Sequence, residues 1–266
     1  MSNNPLYMSR ARLKTARGEA LSSIAPSLLR GSKGDTVGHA HRILWMLFQD
    51  RDENDARDFL WREETPGHYL ILSQRPPKDH NHLFDIDTKD FTPELRPGDR
   101  LAFNLRANPV VSRKAEGARV GKQDGKGRVR SVRSDIVMDA LKPLGGFKGP
   151  RDADGQTERA ASRDQVLANV ARSWVGAQGE QHGFKLVLNP ADDKPYLDAS
   201  NYETIQIPRM KDGKLVPRSQ FAKFSVLDFA GIIEITDPML FLTQLGKGFG
   251  KAKAFGCGLM LVKRAA

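Results

Sequence analysis

An α+β fold made of two similar halves is predicted by three features of this sequence. Side chains alternate between two unequal faces over residues 7–14, which is typical of a β-strand. Apolar residues recur at helical spacing over residues 39–48. The order strand, helix, two strands, helix, strand can then be traced in each half of the chain.

The helix over 39–48 has the clearest pattern of the first half. Its apolar stripe is Ala40, Ile43, Leu44 and Leu47. A parallel row one residue further round contains His41, Trp45 and Phe48. His41 is therefore expected at the edge of the buried face, near solvent but oriented by packing.

The rest of the first half is a hairpin and two irregular regions. Residues 57–62 and 68–73 flank the turn signal Thr65-Pro66-Gly67 and predict two antiparallel strands. Residues 15–35 lack periodicity and are expected to form a loop with at most a short helix. Residues 75–98 contain four prolines and predict a linker, with one short helix near 91–95.

The second half repeats the order of elements. Strands are predicted at 101–105, 128–137, 184–188, 221–235 and 259–262, and a helix at 159–175. A last helix is expected to begin at Pro238, with Asp237 as its N-cap and Gly246 as its stop. This order predicts two tandem ferredoxin-like (RRM-like, split βαβ) domains, at 1–98 and 99–266, with a boundary between roughly 88 and 110.

Composition limits the kind of protein this is. The 266 residues carry 42 Lys and Arg against 32 Asp and Glu, a net charge of +10 that favours a polyanionic partner. The chain lacks an apolar run long enough to span a membrane, and its N-terminus lacks the apolar region of a signal peptide, so a cytoplasmic location is expected. The single cysteine, Cys257, can form neither an internal disulfide nor a thiolate zinc cluster.

The positive charge is concentrated in residues 106–133, which we call the basic arm. The arm follows the strand at 101–105, and the strand at 128–137 is its expected returning strand. Between 106 and 133, nine basic residues face two acids, a net charge of +7. The arm is expected to contact the phosphates and deep groove of an RNA stem, the alternative being a solvated insertion. Its candidate RNA-binding residues are Arg113, Lys114, Arg119, Lys122, Lys126, Arg128, Arg130 and Arg133.

A second cationic segment, the glycine loop, covers residues 246–258, between the last helix and the last strand. It has five glycines and three lysines with no acid, a composition that suits a phosphate chain. A purely structural glycine turn is the alternative. The spacing fits neither a Walker loop nor a dinucleotide fingerprint, and the match of 247–250 to the RRM signature stops at Lys251. The candidate RNA-binding residues are Lys247, Gly248, Gly250, Lys251, Lys253 and Gly256.

Five short motifs resemble, in order, the signatures of one known family. They are Tyr7-Met8-Ser9-Arg10, His41 with Leu44-Trp45-Met46-Leu47-Phe48, Ala56-Arg57-Asp58-Phe59-Leu60, Leu105-Arg106-Ala107-Asn108-Pro109, and Gly248 to Gly258. They resemble the CasE (Cse3) family, the CRISPR repeat endoribonucleases of the Cascade system, over nearly the whole chain. The resemblance implies two ferredoxin-like domains across a cleft, recognition of a repeat RNA hairpin, one metal-free cut at the 3′ base of its stem, and retention of the crRNA with the other Cascade subunits.

The resemblance also implies that His41 is the catalytic histidine. Metal-free RNA cleavage uses the neighbouring 2′-hydroxyl as nucleophile and needs a proton acceptor and a donor, and histidine can serve as either. The family pattern places a tyrosine three residues before the histidine as a second catalytic group, whereas Gly38 stands there in this chain. His39 is the candidate substitute; the alternatives are that the second role passes to another group or to RNA positioning alone.

Other interpretations remain open from the sequence. His41 could be a satisfied histidine on a helix edge. His80-Asn81-His82 could bind a metal, but it lacks a third ligand at a telling spacing, and we expect neither a metal nor another cofactor. The chain could instead be a non-catalytic subunit that binds an RNA hairpin, or a structural partner in a ribonucleoprotein without hairpin preference.

Overall fold

The computed structural model describes residues 5–14, 36–49, 57–114, 131–144, 163–212 and 214–265. The loop expected at 15–35 and most of the basic arm lie outside these ranges. The described residues form two larger antiparallel sheets, each with helices, and two separate two-stranded hairpins. Within these ranges, no helix combines the length and apolar character needed to cross a membrane.

The first sheet belongs to the N-terminal part of the chain. Its elements are β1 (Tyr7–Leu13), α1 (Thr36–Trp45), β2 (Phe59–Thr65), β3 (His68–Ser73) and β4 (Phe84–Asp90). The strands lie in the order β2-β3-β1-β4, and every neighbouring pair is antiparallel. A short 3-10 turn, Met46–Phe48, extends α1. The predicted first strand, helix and hairpin are therefore confirmed.

Alternation along the strands gives this sheet one face for α1. Ile43, Leu44 and Leu47 of the predicted helical stripe are buried against Phe59 and Ile71 of the sheet. Stacking of Phe48 on Phe59, with ring centroids 4.3 Å apart, closes the same layer. These contacts fix the orientation of α1, and hence of the residues along its edge.

The second sheet is built from the C-terminal part of the chain. Its main elements are β5 (Arg100–Ala107), α3 (Arg163–His182), β8 (Phe184–Leu186), β9 (Leu197–Ile207), β12 (Ala222–Ile235), α4 (Pro238–Lys247) and β13 (Met260–Arg264). The strand order is β13-β5-β12-β8. β9 also pairs with β12, on the same side as β8 and further along the strand. Smaller elements are β6 (Val110–Lys114), β7 (Ser131–Asp135), α2 (Ile136–Leu141), β10 (Met210–Lys211) and β11 (Lys214–Leu215).

Both sheets have the strand order of a ferredoxin-like fold. If the strands of each half are numbered one to four, the order is four-one-three-two in both, with β8 and β9 together as the second strand of the C-terminal half. A helix follows the first strand in both halves, and α4 follows the third strand in the C-terminal half. The predicted α+β class with two ferredoxin-like units is confirmed.

The two halves share a hydrophobic core. Leu60 and Leu72 point away from α1 and join the buried cluster that contains Phe241 and Leu245 of α4 and Phe249 of the glycine loop. Burial of large apolar side chains on both sides of this contact holds the two halves together. The C-terminal half therefore packs against the face of the first sheet opposite α1.

The structure differs from the predicted elements in four places. Residues 75–98 contain a fourth strand, β4, and residues 91–95 form no helix. β9 was not predicted; it is an edge strand whose residues are all exposed or half-buried. Helix α4 does begin at Pro238, with Asp237 Oδ1 accepting from the Leu240 N–H, but it runs through Gly246, and Gly248 is its C-cap with φ 74°.

Candidate functional site

His41 lies on the solvent edge of α1, half-buried, as the helical pattern predicts. One turn along the helix, the Trp45 indole Nε1–H donates a 2.6 Å hydrogen bond to Nε2 of His41. The two rings meet edge to face, with centroids 6.0 Å apart. Packing of Trp45 against Phe59, at 5.2 Å between centroids, locks this arrangement to the sheet. The imidazole is thus positioned by the helix and by the core beneath it.

Arg57, just before β2, is the second partner of the imidazole. Its Nη2 lies 2.6 Å from Nε2 of His41, and its Nη1 donates a 3.0 Å hydrogen bond to the carbonyl oxygen of Lys253. The guanidinium carbon also sits over the rings of Trp45 and Phe59, at 5.3 and 5.1 Å from their centroids. Arg57 therefore connects α1 to the glycine loop.

These contacts define the protonation state of His41. A guanidinium and an indole N–H can only donate, so Nε2 must be an acceptor and the ring is neutral with its proton on Nδ1. Burial, followed by the charges of Arg57 and Arg42, lowers the pKa of His41 from 6.5 to about 4. A neutral imidazole is the form that can act as a base.

The glycine loop brings a second aromatic side chain to His41. The Phe255 ring centroid lies 6.0 Å from that of His41, and Phe255 stacks on Phe224 of β12 at 5.4 Å. Phe255 belongs to a 3-10 turn, Lys253–Phe255, whose carbonyl at Lys253 is the one that Arg57 binds. The predicted catalytic histidine and the predicted cationic loop are thus parts of one site.

The glycines of the loop face protein atoms. A Cβ on Gly250, where φ is +72°, would lie 2.8 Å from the carbonyl oxygen of Asn108. A Cβ on Gly256, where φ is +75°, would lie 3.1 Å from the Trp61 ring. The positive φ and the close packing both require glycine. Packing alone is thus sufficient to explain glycine at these two positions, and the lysines supply the loop's charge.

The three lysines of the loop have different surroundings. Lys251 is exposed, and its backbone N–H donates to the Asn108 carbonyl. Lys253 is half-buried, its Nζ donates a 2.8 Å hydrogen bond to the Gly250 carbonyl, and burial and then Lys251 lower the pKa of its amine. Lys247, at the end of α4, lines a separate cavity of about 580 Å³ with Leu6 and Phe91.

A cleft of about 380 Å³ lies between the two halves next to this site. Residues 61–66 of the N-terminal half form one wall, and Ile205, Phe255 and Gly256 line the C-terminal side. Arg106 also lines the cleft, but its guanidinium is paired with Asp228 at 3.1 Å and with Glu203. Phe255, which lines the cleft and lies 6.0 Å from the His41 ring, connects the cleft to the histidine.

The basic arm is only partly described. The backbone of Arg113 and Lys114 lies in β6, and Ser112 pairs with Arg133 of β7, whose side chain is exposed. The other arm residues predicted to bind RNA lie outside the described ranges: Arg119, Lys122, Lys126, Arg128 and Arg130. β6 and β7 are therefore the two strands that carry the arm, which confirms a returning strand within the predicted 128–137.

Two other predictions concern histidines. The backbone of His39 lies in α1 three positions after Thr36, but the structure does not describe its side chain. His80 and His82 lie in the exposed loop before β4. Within the described ranges, no group of three or more His, Cys, Asp or Glu side chains could hold a metal ion.

Arg57 and Phe255 were not among the predicted site residues. Arg57 is 196 positions from Lys253 along the chain, so no local periodicity could pair them. The available signal was the family motif Ala56-Arg57-Asp58-Phe59-Leu60, which places Arg57 two residues ahead of the aromatic strand.

Comparison with known proteins agrees with the family resemblance of the five sequence motifs. A family model described as CRISPR associated protein matches residues 6–264. The Cascade subunit CasE of Escherichia coli is 27% identical over 225 residues, which cover 83% of this chain and 88% of CasE. The CRISPR-associated endoribonuclease Cse3 of Thermus thermophilus is 26% identical over 231 residues, which cover 84% of this chain and 87% of Cse3.

Solved structures show the same fold. Cse3 bound to a 19-nucleotide RNA aligns with a TM-score of 0.60 and 22% identity, over 98% of this chain and 100% of that one. Thermus thermophilus Cse3 bound to an RNA that represents a pre-cleavage complex aligns with a TM-score of 0.59, over 97% of this chain and 99% of that one. At this level of identity the structural alignments support the fold.

Proposed function

Because this chain belongs to the CRISPR-associated protein family whose model spans residues 6–264, we propose that it is an endoribonuclease that processes CRISPR repeat RNA. The predicted resemblance to CasE and Cse3 is confirmed by this match and by the two curated relatives. In this proposal the protein cleaves precursor crRNA at the 3′ base of the repeat stem-loop and keeps the mature crRNA. The reaction uses the chain's own side chains and no metal ion.

The observation that carries the proposal is the meeting of His41 with a cationic loop beside a cleft. His41 contacts Phe255 of the loop, and Arg57 joins Nε2 of His41 to the Lys253 carbonyl. Attack by a 2′-hydroxyl on the adjacent phosphodiester needs a neutral base and positive charge for the phosphorane-like state. This site supplies both within a few side chains.

The proposed reaction has one chemical step. Nε2 of His41 accepts the proton of the 2′-hydroxyl as the 2′-oxygen bonds to phosphorus. The bond from phosphorus to the 5′-oxygen breaks, and that oxygen takes a proton from solvent. The products are a 2′,3′-cyclic phosphate and a 5′-hydroxyl. Lys253 and Arg57 provide the nearby positive charge, and His39 is the remaining candidate for a second proton-transfer group.

RNA binding is assigned to two cationic surfaces. The basic arm, carried by β6 and β7, is proposed to contact the phosphates of the stem. The lysines of the glycine loop are proposed to bind the backbone near the cut. Partner proteins in this proposal are the other subunits of a Cascade complex, with the whole assembly in the cytoplasm.

A non-catalytic RNA-hairpin-binding subunit is the second candidate function. Gly38 occupies the place of the family's tyrosine, and Nε2 of His41 is already engaged by two donors. In this alternative the same surfaces would hold the hairpin without cutting it.

Cleavage of a labelled repeat hairpin in excess EDTA tests the proposal. The proteins are wild type, His41→Ala and His68→Ala, the last being the same change at an exposed histidine on β3. Hairpin binding is followed in parallel. We expect wild type and His68→Ala to cleave, and His41→Ala to lose about 100 to 10,000-fold in rate while it binds normally.

Each other outcome has a distinct meaning. Tight binding without cleavage by any of the three proteins would favour the RNA-holding subunit. Equal affinity for the hairpin and an unstructured RNA would favour a structural partner without hairpin preference. Cleavage only after a divalent metal is restored would overturn the metal-free mechanism.

A further inference from the structure

In the free protein, neither nitrogen of His41 can accept the proton of a 2′-hydroxyl. Nε2 carries one lone pair, which already faces donors from Trp45 and Arg57 at 2.6 Å each. Nδ1 carries the proton in this tautomer. If His41 is the base, as proposed above, one of the two donors has to leave Nε2 when RNA binds.

Trp45 is poorly suited to leave. Its indole is held by its position one turn from His41 on α1 and by edge-to-face packing on Phe59 at 5.2 Å. The indole is uncharged, so a phosphate offers it little compensation for the lost contacts. Movement of the ring would also disturb the core layer under α1.

Arg57 is well suited to leave. Its side chain is long, and the contacts described above join it to an imidazole nitrogen, a backbone carbonyl and two ring faces. A phosphodiester offers a guanidinium two charge-assisted hydrogen bonds, which are about twice as strong as bonds between neutral groups. The positive loop beside Arg57 brings RNA phosphate to the same place.

We propose that Arg57 exchanges partners when RNA binds. In the free protein its guanidinium holds His41 as the neutral Nδ1–H tautomer. In the complex the guanidinium moves to the scissile phosphodiester, which frees the Nε2 lone pair for the 2′-hydroxyl proton. Arg57 thereby couples arrival of the phosphate to activation of the base.

The charges around the imidazole determine how this exchange can be observed. Arg57 ahead of β2 and Arg42 on α1 both lower the pKa of His41. Lys253 of the glycine loop contacts Arg57 through its carbonyl oxygen. Transfer of Arg57 to a phosphate removes one of these positive neighbours and adds a negative one. Both changes raise the pKa of His41 towards its ordinary value of 6.5.

Histidine-selective nitrogen NMR gives a direct test. The titration of His41 is measured free and with a repeat hairpin that carries a 2′-deoxynucleotide at the cut. The proteins are wild type, Arg57→Gln, Arg57→Lys and Arg12→Gln, the last removing an exposed arginine on β1. His41→Ala identifies the resonance, and single-turnover cleavage of the all-ribose hairpin is measured from pH 4 to 8.

We expect free wild type and Arg12→Gln to titrate at His41 near pH 4, and the hairpin to raise this value. In free Arg57→Gln the value should already be raised, and the hairpin should change it less. Cleavage by Arg57→Gln should fall about 100-fold, with partial recovery in Arg57→Lys.

The same His41 titration in Arg57→Gln and wild type, or the wild-type cleavage rate in Arg57→Gln, would overturn the role of Arg57. Failure of the proposed function has a different signature: either wild type does not cleave the hairpin at all, or His41→Ala cleaves it like wild type, whatever Arg57 does.

Discussion

A Cβ atom on Gly248 would lie 2.8 Å from both δ-carbons of Leu60. Gly248 caps the C-terminus of α4 within the glycine loop, whereas Leu60 is in β2, on the face of the first sheet opposite α1. The contact therefore sets how closely the loop approaches the strand that follows Arg57. Because Arg57 reaches the loop through the Lys253 carbonyl, close packing at Gly248 and catalytic geometry at His41 are linked.

Gly248→Ala should destabilise the protein by about 2 to 4 kcal/mol. The backbone at φ 74° and ψ 157° is accessible almost only to glycine, and the new methyl group would press on Leu60. Gly98→Ala is the matched control, since Gly98 also has a positive φ of +90° but has open space where its Cβ would be. Urea denaturation compares the two variants.

The steric part can be separated with Leu60→Val, which removes the δ-carbons. In that background Gly248→Ala should cost about 1 kcal/mol less than in wild type. Equal costs for Gly248→Ala and Gly98→Ala, with no coupling to Leu60, would contradict the packing argument and leave backbone strain as the whole effect.

Cys257 should be unreactive in the folded protein. Its side chain is fully buried, and burial together with Asp228 raises the pKa of the thiol to about 12 against the opposing effect of Arg106. The thiolate is the reactive form, so it is scarce near neutral pH. Since Cys257 is the one cysteine in the sequence, reaction with Ellman's reagent reports on it alone.

At pH 8 we expect the native protein to react at a rate limited by unfolding, and the urea-unfolded chain to react as an ordinary thiol. Stoichiometric reaction of the native protein within seconds would show that the glycine loop opens at Cys257 without global unfolding.

The free energy of unfolding should fall as the pH drops from about 6.5 to about 4. In the folded protein the pKa of His41 is about 4, whereas the unfolded chain has the ordinary value of 6.5. The unfolded state therefore binds the proton first, and stability present above pH 6.5 is lost as the pH falls through this window. The loss should not exceed about 2 kcal/mol because solvent screens a half-buried group.

Denaturant titrations at several pH values measure this loss. His41→Gln should flatten the pH dependence. A smaller slope of the same sign should persist in His41→Gln, because burial also lowers the pKa of His182. An unchanged slope in His41→Gln would show that His41 titrates normally.

Local patterns in the sequence were sufficient for much of this fold. Alternation over 7–14, the apolar stripe around Ile43 and Leu44, and the cap at Asp237 with Pro238 each report a structure determined by neighbours along the chain. Burial of one face strengthens such patterns, because that face has to be apolar. β9 lacks that amplification because it is an edge strand with a bulge opposite Val226 and Asp228, so its alternation is weak.

The site could be predicted only in part, for the same reason. His41 could be placed on a helix edge because its helix has a strong stripe. Its contacts with Arg57 and Phe255 depend on how two domains pack, and no periodicity encodes that. The glycines of the loop suggested a ligand cradle, but positive φ and a protein neighbour at Gly250 and Gly256 explain them as well.

Lys251 should contribute one phosphate contact to RNA binding. Its side chain is exposed on the glycine loop, while its backbone N–H is held by the Asn108 carbonyl, so Lys251→Ala removes charge without loosening the loop. The plot of log Kd against log salt for the repeat hairpin should become shallower by about one unit. Lys89→Ala, the same change on the outer strand β4, should keep the wild-type slope. If both variants bind with the wild-type slope, the loop's role is to position His41 and Arg57, and the RNA backbone is held by the basic arm.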